Sequence, residues 1–344
     1  MGDRAKVAVP MWGEMDQRGA GAGPQVPAVA GPRVLRVGLV NNMSEAAFEE
    51  THTSFARLLL EAAAGMEIEL RCYRIPALSP GPTIVDAGPS LYRDVEDLYQ
   101  DPPDALVVTG TEPVMPELTD ERYWDALATL LNWAETSVPS SWLSCLAAHG
   151  ALRALDQTDR VRLSVKRSGV FPQAVNRSHP LGRGLGVTAT VPHSRWNEVP
   201  GACVQSVGYE IVIGTAAGEW TVAARERAGR MLVLAQGHPE YAPTLLLREY
   251  RRDMRRYIEG TVPAPPEIPT GYLDEAGEEL LRAWSASADR LPPDEWSHAF
   301  PMDAAADHLM ASWGDTAVVL FANWLEDAGV RARSRPLTVG LARA

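Results

Sequence analysis

The chain is poor in cysteine, short of cations relative to acids, and free of long hydrophobic runs. No apolar stretch reaches the roughly 18 residues of a membrane helix, so no membrane partner is predicted. The opening segment MGDRAKVAVPMWGEMDQRGAGAG has no apolar core of the secretory kind, which predicts a cytoplasmic protein. Lys and Arg total 32 against 44 Asp and Glu, a net charge of −12. That balance argues against a nucleic-acid partner, whose phosphates need clustered cations. The three cysteines, Cys72, Cys145 and Cys203, are too few and too scattered for a disulfide framework or a zinc cluster. His52, His149, His179, His193, His298 and His308 show no paired metal spacing, so no metal site is expected. No glycine-rich loop of the Walker or dinucleotide type is present, and no bound cofactor is expected.

What is present is ordinary globular material, 344 residues with 46% hydrophobic and 22% charged, enough for one large or two small domains. Residues 1–33, rich in Gly, Pro and Ala, read as a disordered or loosely docked arm. Short apolar strands follow at 34–40, 67–75, 104–109 and 140–144. Between them lie helical patterns at 45–64, capped by Ser44 with Phe55, Leu58, Leu59 and Ala62 as its apolar stripe, and at 120–135 and 146–155. A Pro/Gly/Ser loop fills 76–90. This alternation predicts an α/β fold with a mostly parallel sheet. Segments 187–191, 209–213, 220–224 and 231–235 are strands joined by turn residues, so part of the sheet is expected to be antiparallel. A helix is predicted over 243–258, a Pro-rich linker over 261–274, then helices near 274–287 and 303–327 and a basic tail. The domain reading is an arm (1–33), a catalytic domain (34–260), and a linker with a helical C-terminal extension packed on it (261–344). Trp284, Trp296, Trp313 and Trp324 in that extension read as packing residues, with a dimer contact as the other use.

Three strand ends carry candidate chemistry. Cys145 lies where a buried strand turns into a helix, a position that favours a thiolate and leaves the Leu146 N–H free for an oxyanion. An inert buried cysteine is the plain structural alternative. His238, in Gly237-His238-Pro239-Glu240-Tyr241 after the strand MLVLA, could serve as base, with Glu240 orienting it. Gly110 and Thr111, at a third strand end, read as the other half of an oxyanion hole; an ordinary strand-to-loop glycine is the alternative there.

An elbow cysteine followed by His-x-Glu resembles the class I glutamine amidotransferase superfamily. The usual glutaminase elbow has glycines on both sides of its cysteine, and Ser144-Cys145-Leu146 does not. The chain is more similar to the homoserine O-acyltransferase family, also called homoserine O-succinyltransferases. The similarity runs through Val108-Thr109-Gly110, Tyr123-Trp124, the Cys145 elbow, Lys166-Arg167-Ser168-Gly169-Val170 and Pro192-His193-Ser194-Arg195. It continues through the His238 motif, Glu249-Tyr250-Arg251-Arg252-Asp253 and Phe321-Ala322-Asn323-Trp324-Leu325. It covers roughly residues 34–330. It implies a class I glutamine amidotransferase-like, flavodoxin-like three-layer sandwich. It also implies acyl transfer from acyl-CoA, as co-substrate, to the L-homoserine hydroxyl in methionine biosynthesis, by a homodimer. Cys145 then carries the acyl group, His238 is the base, Glu240 its partner, and Lys166, Ser194, Glu249 and Arg252 contact substrate. Glu249 and Arg252, three residues apart, share one helix face and suit an ammonium and a carboxylate.

The chain departs from this pattern at two places. Asn42-Met43-Ser44-Glu45-Ala46-Ala47 replaces the lysine pair usual after the first strand. Val114 stands where relatives carry Glu for acetyl or Gly for succinyl. A valine filling space, and no cation for a succinyl carboxylate, favour acetyl over succinyl. Serine or another hydroxy amino acid is an alternative acceptor. A glutaminase-like or other Cys-dependent hydrolase is an alternative activity, and a non-catalytic binding module is a third.

Overall fold

The computed structural model describes residues 7–8, 34–78, 92–288, 296, 298–310 and 313–334. The predicted arm therefore lies outside the described residues except for Val7–Ala8, as do most of the 76–90 loop and the basic tail.

The chain runs β1 (Val7–Ala8), β2 (Leu35–Val40), α1 (Glu45–Ala62), β3 (Ile68–Arg74), β4 (Tyr92–Asp94), α2 (Val95–Gln100), β5 (Ala105–Val108), α3 (Trp124–Ser137), β6 (Ser140–Ser144) and α4 (Leu146–Asp156). It continues β7 (Val161–Val175), β8 (Thr188–Glu198), α5 (Gly201–Ser206), β9 (Glu210–Gly214), β10 (Trp220–Arg227), β11 (Arg230–Ala235), α6 (Leu245–Ile258), α7 (Glu275–Ala288), α8 (Met302–Ala306) and α9 (Gly314–Ser334). All the described strands join one sheet in the order β1-β3-β2-β5-β6-β11-β10-β9-β7-β8, with β4 also on β3. From β1 to β11 the neighbours are parallel; β11, β10, β9, β7 and β8 pair antiparallel. The fold is thus α/β with a mixed, mostly parallel sheet.

Strand residues alternate faces, and here both faces are dry. Val37, Leu39, Val107 and Trp142 join Phe55 and Leu59 of α1 and Phe321 and Trp324 of α9 in one core. Val40, Leu106, Val108 and Leu143 meet Leu127, Leu130 and Leu131 of α3 and Ala151 and Leu152 of α4 in a second. These are the three layers. A third core holds Leu246, Leu247 and Tyr250 of α6, Leu281 and Trp284 of α7, Trp296, Phe300 and Trp313. The four tryptophans singled out in the sequence are all buried.

Two sequence expectations change. The helix expected near 303–327 is two helices, α8 and α9. Between them the backbone extends, Leu309 bridging Leu273 and Met310 donating to the Tyr272 carbonyl, 3.0 Å. The segment 161–175 is a long strand that the sequence reading passed over. Its signal was there, since Val161, Leu163 and Val165 alternate with Arg162, Ser164 and Lys166. β7 also bonds to the Pro-rich 261–274 stretch: Val170 donates to Thr270, 2.8 Å, and Thr270 to Ser168, 3.0 Å.

Candidate active site

The three strand ends named in the sequence converge because β5, β6 and β11 are parallel neighbours in near-level register. Val108 pairs with Leu143, and Ser144 with Ala235. Their carboxyl ends deliver Gly110, Cys145 and His238 to one edge, where ligands of open α/β sheets bind. Cys145 turns the chain from β6 into α4 with φ 51° and ψ −110°, a conformation that costs a non-glycine residue about 1–3 kcal/mol. Its N–H donates to the Ala235 carbonyl, 2.7 Å, which ties the elbow to β11.

His238 is buried. Its Nδ1 meets Glu240 Oε1 at 2.9 Å, and its Nε2 has no completed hydrogen bond. Burial alone would lower the imidazole pKa. Interactions with Glu240 and Cys145 outweigh it and hold the pKa well above the ordinary histidine value. Ser144 Oγ donates to the same Glu240 oxygen, 3.2 Å. Cys145, His238 and Glu240 therefore lie together, as a thiol, a strengthened base and a carboxylate that orients it.

A Cβ built on Gly110 would meet the Leu146 nitrogen at 3.0 Å and the Ser144 carbonyl at 3.3 Å. The glycine lets its loop close against the elbow. Among the described residues, the N–H groups of Gly110, Thr111 and Leu146 donate no hydrogen bond. Such free donors beside a thiol suit an oxyanion.

The four expected substrate contacts also meet. Ser194 of β8 donates to Glu249 Oε2 of α6. Lys166 Nζ of β7 lies 3.7 Å from that oxygen and 2.6 Å from Asp253 Oδ2. Arg252 Nε donates to Asp253 Oδ1, 3.0 Å. Sequence reasoning missed the role of Asp253, which holds both cations, and of Tyr241. The Tyr241 hydroxyl donates to Glu249, 3.0 Å, while its ring stacks on His238 with centroids 4.2 Å apart. Tyr241 so joins the charged cluster to the imidazole. Arg256 closes the outer side with two bonds to Glu112, 2.6 and 2.9 Å.

Val114 is not the space-filling residue expected. Its side chain is 86% exposed at the lip of a cavity of about 290 Å³. Two cations missed in the sequence, Arg160 and Arg162, line that cavity. His149 and His193 are buried and held neutral. Burial pushes His149 down to about 3 and His193 well below the usual value; they bond Gln236 and Thr221. Among the described residues no three His, Cys, Asp or Glu side chains are grouped to hold a metal, and no helix is long and apolar enough to cross a membrane.

Comparison with known proteins places these motifs in context. The family described as "HTS: Homoserine O-succinyltransferase" matches residues 28–332. A homoserine O-succinyltransferase of Rhodopseudomonas palustris is 38% identical over 296 residues, covering 86% of this chain and 89% of that protein. One of Methylorubrum extorquens is 36% identical over 293 residues, covering 85% and 87%. Among solved structures, a Thermotoga maritima glutamine amidotransferase is similar with a TM-score of 0.44 and 13% identity, covering 86% of this chain and 98% of that one.

Proposed function

Because the chain belongs to the homoserine O-succinyltransferase family, and so is a homoserine O-acyltransferase of methionine biosynthesis, we propose that it works through an acyl-Cys145 intermediate drawn from acyl-CoA. The observation that carries this reading is Tyr241. It touches His238 with its ring and Glu249 with its hydroxyl, so one group spans the acylation centre and the charged cluster.

In the proposed reaction His238 takes the thiol proton, and the sulfur attacks the thioester carbonyl. Leu146 N–H, with Gly110 and Thr111, holds the oxyanion. The carbon–sulfur bond to CoA breaks, and His238 returns its proton to the leaving thiolate. Homoserine then binds with its ammonium at Glu249, assisted by Ser194, and its carboxylate at Lys166 and Arg252. His238 removes the hydroxyl proton, oxygen attacks the acyl carbonyl, and Cys145 leaves and recovers the proton. The product is O-acylhomoserine. Glu240 keeps Nε2 of the imidazole toward sulfur throughout.

For the donor we now take succinyl over acetyl. The acetyl expectation rested on a valine filling space and on a missing cation. Val114 points outward, Arg160 and Arg162 are present, and the curated relatives bear the succinyl name. A homodimer and a cytoplasmic setting complete the proposal; light scattering on the purified protein tests the first.

The deciding experiment incubates the protein with succinyl-CoA and reads intact mass, with and without L-homoserine. An added succinyl mass on Cys145, discharged by homoserine, is expected. Turnover without a covalent intermediate, in strictly sequential kinetics, would overturn the mechanism. Faster discharge by serine would change the acceptor.

A further inference from the structure

The cavity beyond Cys145 has a feature that the acyl-transfer chemistry above does not use. Its walls include Val114, Met115, Glu117, Arg160, Arg162 and Asn197. Its volume, about 290 Å³, leaves room for a four-carbon chain. Two ties connect it with the elbow. The 110–117 loop starts against the Leu146 nitrogen at Gly110 and ends on the cavity wall. Arg195, within electrostatic reach of Cys145, holds the carbonyl of Asn197 with its Nη1, 3.1 Å.

Arg160 is the unusual group there. Among the described residues neither Arg160 nor Arg162 forms an ion pair with a carboxylate, although most arginines of this acidic chain do. Arg160 Nη2 is anchored by the carbonyls of Pro116, 3.0 Å, and Met115, 3.5 Å. Its Nε is buried without an acceptor, and its Nη1 makes no hydrogen bond among the described residues. Glu117 and Glu121 act on it from beyond ion-pair distance, and Glu121 Oε1 is occupied by the N–H groups of Val114 and Met115, 2.6 and 2.7 Å. Cys145 lies within electrostatic reach of it. A half-buried guanidinium, fixed on one side and unpaired on the other, is a receptor for an anion. Arg162 stands at the rim with its guanidinium over the Trp196 ring, 5.2 Å from the centroid.

We infer that Arg160, seconded by Arg162, binds the free carboxylate of a dicarboxylic acyl group while its other end is attached to Cys145. Arg160 is then the donor-specificity residue. It does from β7's side of the site what the lysine-free Asn42–Ala47 run cannot. The inference rests on the acyl-cysteine reading.

The test compares rates of Cys145 acylation, by intact mass, with succinyl-CoA and with butyryl-CoA, a neutral chain of equal length. Wild-type protein prefers succinyl. Arg160→Gln lowers the succinyl-to-butyryl ratio by about 10- to 100-fold, and Arg160→Lys by less, because a point charge keeps part of the attraction. Arg162→Gln, which breaks no anchor of the 113–117 loop, lowers the same ratio by a smaller factor. A ratio unchanged in both glutamine variants, whether or not the absolute rates fall, overturns the inference. Absence of acylation of wild-type Cys145 by either thioester is a failure of the acyl-cysteine reading itself, and this inference falls with it.

Discussion

Lys166 on β7 and Asp253 on α6 are 87 residues apart in sequence and 2.6 Å apart in space, with side chains only 12% and 15% exposed. The pair fixes which carboxylate the lysine serves. With Asp253 in place, Lys166 stays 3.7 Å from Glu249 and leaves that acid available. Asp253→Asn frees Lys166 to move onto Glu249 and neutralise the group proposed to take the homoserine ammonium. The expected result is a rise of tenfold or more in the homoserine KM, a smaller change in kcat, and a stability loss of about 1–3 kcal/mol. Steady-state kinetics with an unchanged KM would count against this role.

His238 supplies a pH signature. Its folded pKa lies well above the ordinary value, because Glu240 and Cys145 outweigh burial. A raised folded pKa contributes stability that is complete below the unfolded value of about 6.5 and is lost as pH rises through the folded one. The difference in Tm between wild type and His238→Gln should therefore shrink as pH increases above 6.5. A difference that stays constant from pH 6 to 9 would contradict the assignment.

The elbow stores strain that glycine relieves. At φ 51° and ψ −110°, Cys145→Gly should be more stable than Cys145→Ala by about 1 kcal/mol, while both lack turnover. Chemical denaturation of the two variants measures this. Equal midpoints, or full activity in either, would be the adverse results.

Gly169 is the fourth test. Its φ is +144°, and a Cβ there would meet the Thr270 oxygen at 2.3 Å and nitrogen at 2.7 Å. Gly169→Ala should break the two hydrogen bonds that tie β7 to the 261–274 stretch, lower stability by about 2–4 kcal/mol, and displace Lys166 three residues away. Thermal unfolding together with the homoserine KM reads both effects; an unaltered Tm would mean that the stretch yields without cost.

What could be read from the sequence was local. Cys145, His238 and Glu240 each sit at a strand end, and a strand end followed by turn residues is visible within about ten positions. The parallel order of β5, β6 and β11 then brought them together. Asp253 and Arg160 were not legible. Asp253 is one charge on a strongly charged helix until Lys166 arrives from β7. Arg160 looks like any surface arginine until Met115 and Pro116, more than forty residues earlier, take hold of one end. The acetyl leaning, which the relatives' names disfavour, rested on an equally local reading: Glu121 gathers the backbone N–H groups of Val114 and Met115, a contact that no local pattern announces. The break between α8 and α9 was likewise hidden, because Leu309 and Met310 bond to a segment far away in sequence.

The β7–β8 pairing carries a constraint of a different kind. Ser194 bonds α6 from one face of β8, while its neighbours His193 and Arg195 are buried on the other, bonded to Thr221 and to Asn197 and Glu198. A strand has a reading frame of two. A single-residue insertion or deletion within the continuous register from Arg167↔Arg195 to Ala174↔Thr188 would exchange those roles at once, putting a serine in the core and a histidine or an arginine against Glu249. Length variation tolerated by this hairpin should therefore collect in the 176–187 connection. A library of one-residue insertions, selected for growth without methionine in a host lacking its own homoserine acyltransferase, would map that frame directly.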